Sequence, residues 1–195
     1  MFNKIATIFM AISLLLSPNF YAHASGNYKV LFGRGNSSGG GDIYLMDSNG
    51  QNITRLTTIG DSGNDGTNDV GKPIYCSLNN KVYFHSNKEG SWDWENIYRM
   101  DLDGSNMEAL TTDDNRHWYY CIDEANQKIY YLHNAGSNSI YSMDLDGGNK
   151  QWMSWGDGKT PSDVHDGKLL VCPDQKVQQR LMSNITAILD SKAVR

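Results

Sequence analysis

The chain has 195 residues and a formal net charge of −5, and its Lys and Arg residues are not clustered. This charge balance argues against binding to nucleic acid regardless of sequence, because such proteins use basic clusters to replace the counterions of phosphate. The length is sufficient for one domain with a hydrophobic core.

The first 24 residues have the pattern of a secretory signal peptide. Lys4 provides a positive start, an apolar run covers residues 5–16, and Ala22 and Ala24 place small residues two apart. A membrane anchor is the alternative, but the run is well short of the roughly 20 residues that span a bilayer. We therefore predict cleavage after Ala24 and a mature protein in the periplasm or outside the cell, with no membrane span.

Three cysteines lie far apart in the sequence, so an exported chain can form one disulfide at most. Cys76 and Cys121 occupy matching places in successive repeats, which sets them on separate strands. We predict buried thiols on strand faces.

One short phrase occurs three times. IYLMDSNGQN begins at Ile43, IYRMDLDGSN at Ile97 and IYSMDLDGGN at Ile140. Each copy has an extended apolar stretch, a turn whose Gly permits positive φ, and a second short stretch. This pattern predicts a β-hairpin.

Further strands precede these hairpins. YKVLFG, KVYFHS and KIYYLH each come before one copy of the phrase, and PIYCS and HWYYCI precede the last two of those. The repeating unit is therefore four antiparallel strands, here called A to D in chain order. A period of about 40 residues with four strands is typical of a β-propeller blade. We predict an all-β, propeller-like array of three to four blades, some of them incomplete.

The stretch NIYRMDLDGSNMEALTTD resembles the TolB-type (PD40, WD40-like) propeller repeat, and KIYYLHNAGSNSIYSMDLDGGN is similar to the YWTD repeat. The resemblance covers nearly all of the predicted repeat domain, residues 25–175. Such families usually close six blades, which this chain is too short to supply. A four-bladed ring, a homodimer that completes the propeller and a truncated relative with an exposed edge are all open. Residues 176–195 form a tail whose apolar residues favour a short helix.

The strand order predicts which connections share an end of the blades. The D-to-A and B-to-C connections leave one end, and they hold the longer loops and all five tryptophans. Exposed indole rings are typical of binding surfaces. The predicted ligand-binding residues at this end are Trp92, Asp93, Trp94, Glu95, Asp113, Asp114, His117, Trp118 and Trp155. In the alternative, Trp118, Trp152 and Trp155 wedge between blades.

Metal binding is a separate hypothesis. The stretch that begins at Asp61 resembles the start of a calcium loop but lacks ligands at the third and twelfth places, so it is not an EF-hand. The histidines at 85, 117 and 133 are expected at the same end of the blades. The weak metal candidates are Asp61, Asp65, Asp69, His85, His117 and His133. We expect no cofactor, and calcium is the one alternative that the sequence leaves open.

The sequence favours an exported, non-catalytic module that binds an envelope or extracellular protein or glycan. The resemblance to TolB-type repeats implies a protein-interaction role. The alternatives are a metal-dependent polysaccharide lyase or hydrolase that uses the three histidines, and a remnant with no independent function. Fold alone does not decide among them.

Overall fold

A computed structural model describes the chain over residues 5–7, 28–35, 40–61, 70–88, 95–156 and 159–173. The strands are β1 (Ile5–Thr7), β2 (Lys29–Gly35), β3 (Gly41–Asp47), β4 (Thr54–Arg55), β5 (Val70–Cys76), β6 (Lys81–Ser86), β7 (Asn96–Asp101), β8 (Glu108–Ala109), β9 (Arg116–Asp123), β10 (Lys128–Asn134), β11 (Asn138–Asp144), β12 (Gln151–Trp155), β13 (Lys159–His165) and β14 (Lys168–Pro173). A 3-10 helix at Ile59–Asp61 is the one helical element of these ranges. None of the described residues forms a helix long and apolar enough to cross a membrane.

These strands form four sheets in chain order. The first sheet is β1-β2-β3-β4, the second β5-β6-β7-β8, the third has the order β12-β11-β10-β9, and the fourth is the pair β13-β14. Neighbouring strands are antiparallel except for β1 and β2, which are parallel. The predicted four-stranded unit and the all-β class are therefore confirmed. The parallel β1, which lies inside the predicted signal peptide, was not predicted.

The chain forms two compact units, Met1–Asp114 and Asn115–Arg195. In the first unit, residues of the first and second sheets share one hydrophobic core. Leu31 and Ile43 come from the first sheet, and Val82, Phe84 and Met100 come from the second, all fully buried. Two sheets thus cover each other's apolar sides, which explains why the repeated phrase is apolar on both faces of a strand.

The second unit holds the third and fourth sheets. Its largest buried side chains include Tyr120, Ile129, Tyr131 and Met143, which come from β9, β10 and β11. Strand β13 lies against β9 and β10. The inner strands of the third sheet therefore have a neighbouring sheet within the described part of this unit.

The repeated phrase closes each hairpin with the same hydrogen bonds. In the second sheet, the Asp101 N–H donates to the Ser105 carbonyl (2.8 Å) and the Gly104 N–H donates to the Asp101 carbonyl (2.9 Å). Lys81 Nζ donates to Asp101 Oδ1 (2.6 Å), and Asn106 Nδ2 donates to Asp101 Oδ2 (2.6 Å). We call this the Lys–Asp–Asn clamp. It recurs as Lys29, Asp47 and Asn52 and as Lys128, Asp144 and Asn149.

The clamp explains why one phrase occurs three times. Its Asp ends the third strand of a sheet, its Lys begins the second, and its Asn lies just beyond the turn with a positive φ of 52° at Asn106. A single carboxylate thereby fixes both the pairing of two strands and the turn that follows. The repeated phrase contains the Asp, the turn and the Asn of each clamp, and the Lys begins the strand before it.

The three cysteines form no disulfide. Cys76 and Cys121 are buried on different sheets, and Cys172 is half-buried on β14. The prediction of buried thiols is confirmed for the first two.

Candidate functional site

One end of the third sheet gathers several of the predicted site residues. The register pairs Asn134 of β10 with both Arg116 of β9 and Asn138 of β11, and it pairs Ser139 of β11 with Trp155 of β12. The connections that lead into β9 and from β10 to β11 leave from this end. In this sheet the prediction that D-to-A and B-to-C connections share an end is confirmed. We call this region the loop end of the third sheet; it comprises residues 113–118, 133–138 and 155.

Two histidines lie side by side at the loop end. His117 and His133 are opposite each other on β9 and β10, and their ring centroids are 5.0 Å apart. Tyr131 contacts the ring of His117 (5.8 Å), and Tyr141 contacts that of His133 (4.9 Å). His117 is 1% exposed, so the sheet holds its imidazole in place by packing.

A carboxylate completes a possible donor set. Asp113 precedes His117 by four residues, and each of Asp113, His117 and His133 offers a ligand atom within 4.8 Å of the others. Two imidazoles and a carboxylate form a donor set that suits Zn²⁺, Fe²⁺ or Mn²⁺. This is the one group of three such residues found in the part of the chain that the structure describes.

His85 lies elsewhere. It is on β6 of the second sheet, where its Nδ1 is 3.2 Å from Glu95 Oε2. Glu95 is half-buried and is the last residue before β7, so its carboxylate lies beside the imidazole of His85 within this sheet. The structure thus groups two of the three candidate histidines with Asp113, and it gives His85 another partner.

The tryptophans of the third sheet differ in exposure. Trp155 is 60% exposed and Trp152 is 51% exposed, with their rings in edge contact at 5.8 Å. Within the described part of the chain neither ring packs between blades, because β12 is an outer strand with no described strand beyond it. Trp118 is half-buried, and the guanidinium of Arg116 lies 4.1 Å from its ring centroid. Such cation–π contact holds both side chains at the surface.

The remaining predicted residues fall into two groups. Asp113 and Asp114 are exposed in the segment before β9, and Asp61 ends the 3-10 helix. Five predicted residues lie outside the described residues: Asp65, Asp69, Trp92, Asp93 and Trp94. The predicted tail helix also lies outside them.

Sequence reasoning missed two features of the loop end. It overlooked Arg116 as the partner of Trp118, and it grouped the histidines by loop position instead of by strand register. The signal was present, because His117 is the second residue of the first strand of its sheet and His133 is the second-last residue of the second strand. Antiparallel neighbours place those two positions together.

Sheets of this order and register define a β-propeller class of protein. The chain belongs to the family described as the dipeptidyl peptidase IV (DPP IV) N-terminal region, whose model matches residues 12–141. The predicted propeller repeat is confirmed by this membership.

Solved structures agree with this class. A structure assigned to TolB from Agrobacterium tumefaciens is 26% identical, with a TM-score of 0.51 over 64% of this chain and 44% of that one. TolB from Acinetobacter baumannii is 19% identical, with a TM-score of 0.52 over 75% of this chain and 37% of that one. The chain thus spans less than half the length of these two proteins. No curated protein sequence matches it.

Proposed function

We propose that the chain is an exported, non-catalytic binding module that engages a protein or glycan of the envelope or the extracellular space. The loop end of the third sheet is the binding surface. The observation that carries the proposal is the exposure of Trp155, at 60%, beside the connections that leave this end. A large exposed indole costs free energy in water and is a frequent anchor in binding interfaces.

Charge and neighbouring groups support the same surface. Exposed Asp113 and Asp114 add carboxylates to this surface. The guanidinium of Arg116, which lies over the ring of Trp118, adds hydrogen-bond donors beside an aromatic ring. This mixture suits the amide and hydroxyl groups of proteins and glycans better than a purely apolar ligand. The predicted signal peptide supports export.

Trp155→Ala tests this proposal. We expect partners captured from an envelope extract, or glycans retained on an array, to bind the variant with about 30-fold lower affinity, since loss of an interface Trp typically costs about 2 kcal/mol. Dissociation constants for each identified partner are measured by biolayer interferometry. Leu78→Ala is the control, because Leu78 is 54% exposed in the β5–β6 turn, at the opposite end of its sheet.

Two results would contradict the proposal. One is a partner whose affinity falls with Leu78→Ala and not with Trp155→Ala. The other is the absence of any protein or glycan ligand for a folded wild-type chain. A Trp92→Ala, Trp94→Ala double variant extends the test to two other predicted ligand-binding residues.

The donor set of Asp113, His117 and His133 favours a second candidate, a metal-dependent hydrolase or lyase. A bound divalent ion there would supply Lewis-acid polarisation of a substrate oxygen. The chain's own contribution is to hold two imidazoles at a fixed separation through the β9–β10 pairing.

Metal titration separates the two candidates. The enzyme candidate predicts one Zn²⁺ or Mn²⁺ per chain by calorimetry, with binding weakened about tenfold or more in His133→Ala and in Asp113→Ala. His165→Ala is the control, since His165 is an exposed histidine on another hairpin. Equal metal binding by wild type and His133→Ala removes this candidate.

A further inference from the structure

Strand β9 contains one residue more than its partner β10 near the loop end. Tyr120 pairs with Tyr131, and the next pair toward the loop end joins Trp118 and Leu132, so Tyr119 is the extra residue. The φ of Tyr119 is +46°, in the left-handed region that a bulky side chain rarely adopts. An extra residue in one strand of an antiparallel pair is a β-bulge, and such bulges often redirect side chains beside functional sites.

The bulge determines which side chain of β9 lies opposite His133. Successive residues of a regular strand point to opposite faces, so one extra residue exchanges the faces of all residues that precede it. With Tyr119 in the strand, His117 lies opposite His133. In a regular strand without it, Trp118 would take this place and His117 would lie on the other face of the sheet.

The two faces of β9 hold different groups at the loop end. The imidazoles of His117 and His133, with ring centroids 5.0 Å apart, lie on one face with the ring of Tyr131. Arg116 and Trp118 flank His117 in the strand, so their cation–π pair lies on the opposite face. The extra residue thus brings the two imidazoles together and keeps the indole away from them.

The second sheet has a bulge in its first strand with a different result. Two residues of β5, Lys72 and Pro73, oppose the single residue Phe84 of β6. The residue that this register places opposite His85 is Gly71, and a Cβ there would lie 2.3 Å from His85 Nε2. Both sheets therefore share the bulge, and the histidine pair depends on which residue the bulge places opposite the second strand.

We propose that the bulge at Tyr119 assembles a divalent transition-metal site from Asp113, His117 and His133. The site rests on the donor set of the second candidate function, but it does not require that the chain is an enzyme. Two ligands come from adjacent strands whose register the bulge fixes, and the third comes from the segment that leads into β9. Three protein ligands leave a further coordination position for water or for an oxygen atom of a bound molecule. Tyr119 acts through His117 and is a positioning residue.

Two deletion variants that differ in one side chain test the proposal. Deletion of Tyr119 together with Trp118→His places an imidazole opposite His133 again. Asp114 then precedes this imidazole by four residues, which is the spacing of the wild-type donor set. Deletion of Tyr119 together with Trp118→Ala places a methyl group there instead. In calorimetry with Zn²⁺, we expect the first variant to bind as the wild type does and the second to bind about tenfold more weakly or worse.

Two variants of unchanged length are the controls. Trp118→Ala should leave Zn²⁺ binding unchanged, because Trp118 lies on the face opposite the histidine pair. Tyr119→Gly should also retain binding, because glycine adopts the positive φ of the bulge without strain. Circular dichroism shows whether each variant is folded. Without metal, NMR contacts between the imidazole protons of residues 117 and 133 should appear in the wild type and both controls, and disappear in the deletion variant with Trp118→Ala.

The proposal fails on any of three results. If the wild-type chain binds no Zn²⁺, the metal site and the second candidate function fall together. If the deletion variant with Trp118→His binds Zn²⁺ no better than the one with Trp118→Ala, the positioning role of the bulge alone is lost. If both deletion variants are unfolded, the extra residue serves the sheet itself and not the histidine pair.

Discussion

At the scale of single residues, Gly104 meets two requirements at once. Its φ of +88° lies in the left-handed region, and a Cβ added there would be 2.3 Å from the carbonyl oxygen of Leu56. Gly50 holds the same place in the first hairpin turn, with a φ of +81° and open space around it. Both glycines need a backbone with positive φ. Of the two, Gly104 alone also needs the space of a missing side chain, because its turn contacts Leu56, the residue that follows the outer strand of the preceding sheet.

We therefore predict different costs for the same substitution. Gly50→Ala should lower the free energy of unfolding by about 1 kcal/mol, the usual cost of a side chain at positive φ. Gly104→Ala should cost a further 1–3 kcal/mol or so from the steric overlap with a backbone that cannot move freely. Urea denaturation of both variants measures the difference. Equal losses would show that the contact with Leu56 contributes nothing.

At the scale of elements, the Lys–Asp–Asn clamps give the hairpins a common electrostatic feature. The hydrogen bond from Lys81 lowers the pKa of Asp101 most, followed by that from Asn106. Hydrogen bonds from Lys29 and Asn52 lower the pKa of Asp47 in the same way, and Lys128 and Asn149 lower that of Asp144. Each folded hairpin thus favours the ionised carboxylate.

This direction predicts loss of stability in acid. A carboxyl whose pKa is lowered by folding stabilises the fold above its unfolded value of 3.8, and the contribution disappears as the pH falls through the folded pKa. Thermal unfolding between pH 6 and pH 2 should therefore show a steeper acid loss for wild type than for Asp101→Asn. Lys81→Met should also flatten the profile. Lys168→Met, which removes the same charge from an exposed position outside the clamps, should leave its slope unchanged; a flatter profile there would contradict the role of the clamps.

The elements also show how far the sequence predicts this fold. The alternation of apolar residues and the Asn/Asp-Gly turns predict the hairpins, since both are local properties. The clamp was not predicted, although equivalents of Lys81, Asp101 and Asn106 occur in each repeat of the sequence. Its Lys and Asp lie on two neighbouring strands, so their contact can be predicted only when the register of those strands is known. The grouping of Asp113 with His117 and His133 was not predicted from the sequence for the same reason. A binding role for Trp92 and Trp94 stays a prediction, because both lie outside the described residues.

At the scale of the whole molecule, the predicted signal peptide bears on the first sheet. Ile5–Thr7 forms β1 and pairs with Lys29–Leu31 of β2 in the uncleaved chain. Cleavage after Ala24 would remove β1 and leave that edge of β2 to another strand. The first sheet of the mature protein would then begin with its second strand, as the repeat predicts.

We predict that the exported protein begins at Ser25. Intact mass spectrometry of protein recovered from the periplasm or medium should give the mass of residues 25–195. Ala24→Leu should block cleavage, because signal peptidase sites require a small residue at this position, whereas Ser25→Thr should be processed normally. Export with residues 1–24 retained in wild type would contradict the prediction.

Each clamp draws all three of its members from two consecutive strands of one sheet and the turn that follows them. A stretch of gene that encodes one such module therefore carries its complete clamp wherever it is copied. Duplication or deletion in whole modules leaves the surviving turns chemically intact, whereas a shift of a few codons inside a module separates the lysine from its carboxylate. Lineages of this protein should accordingly vary in length by steps of a module, with few intermediate sizes.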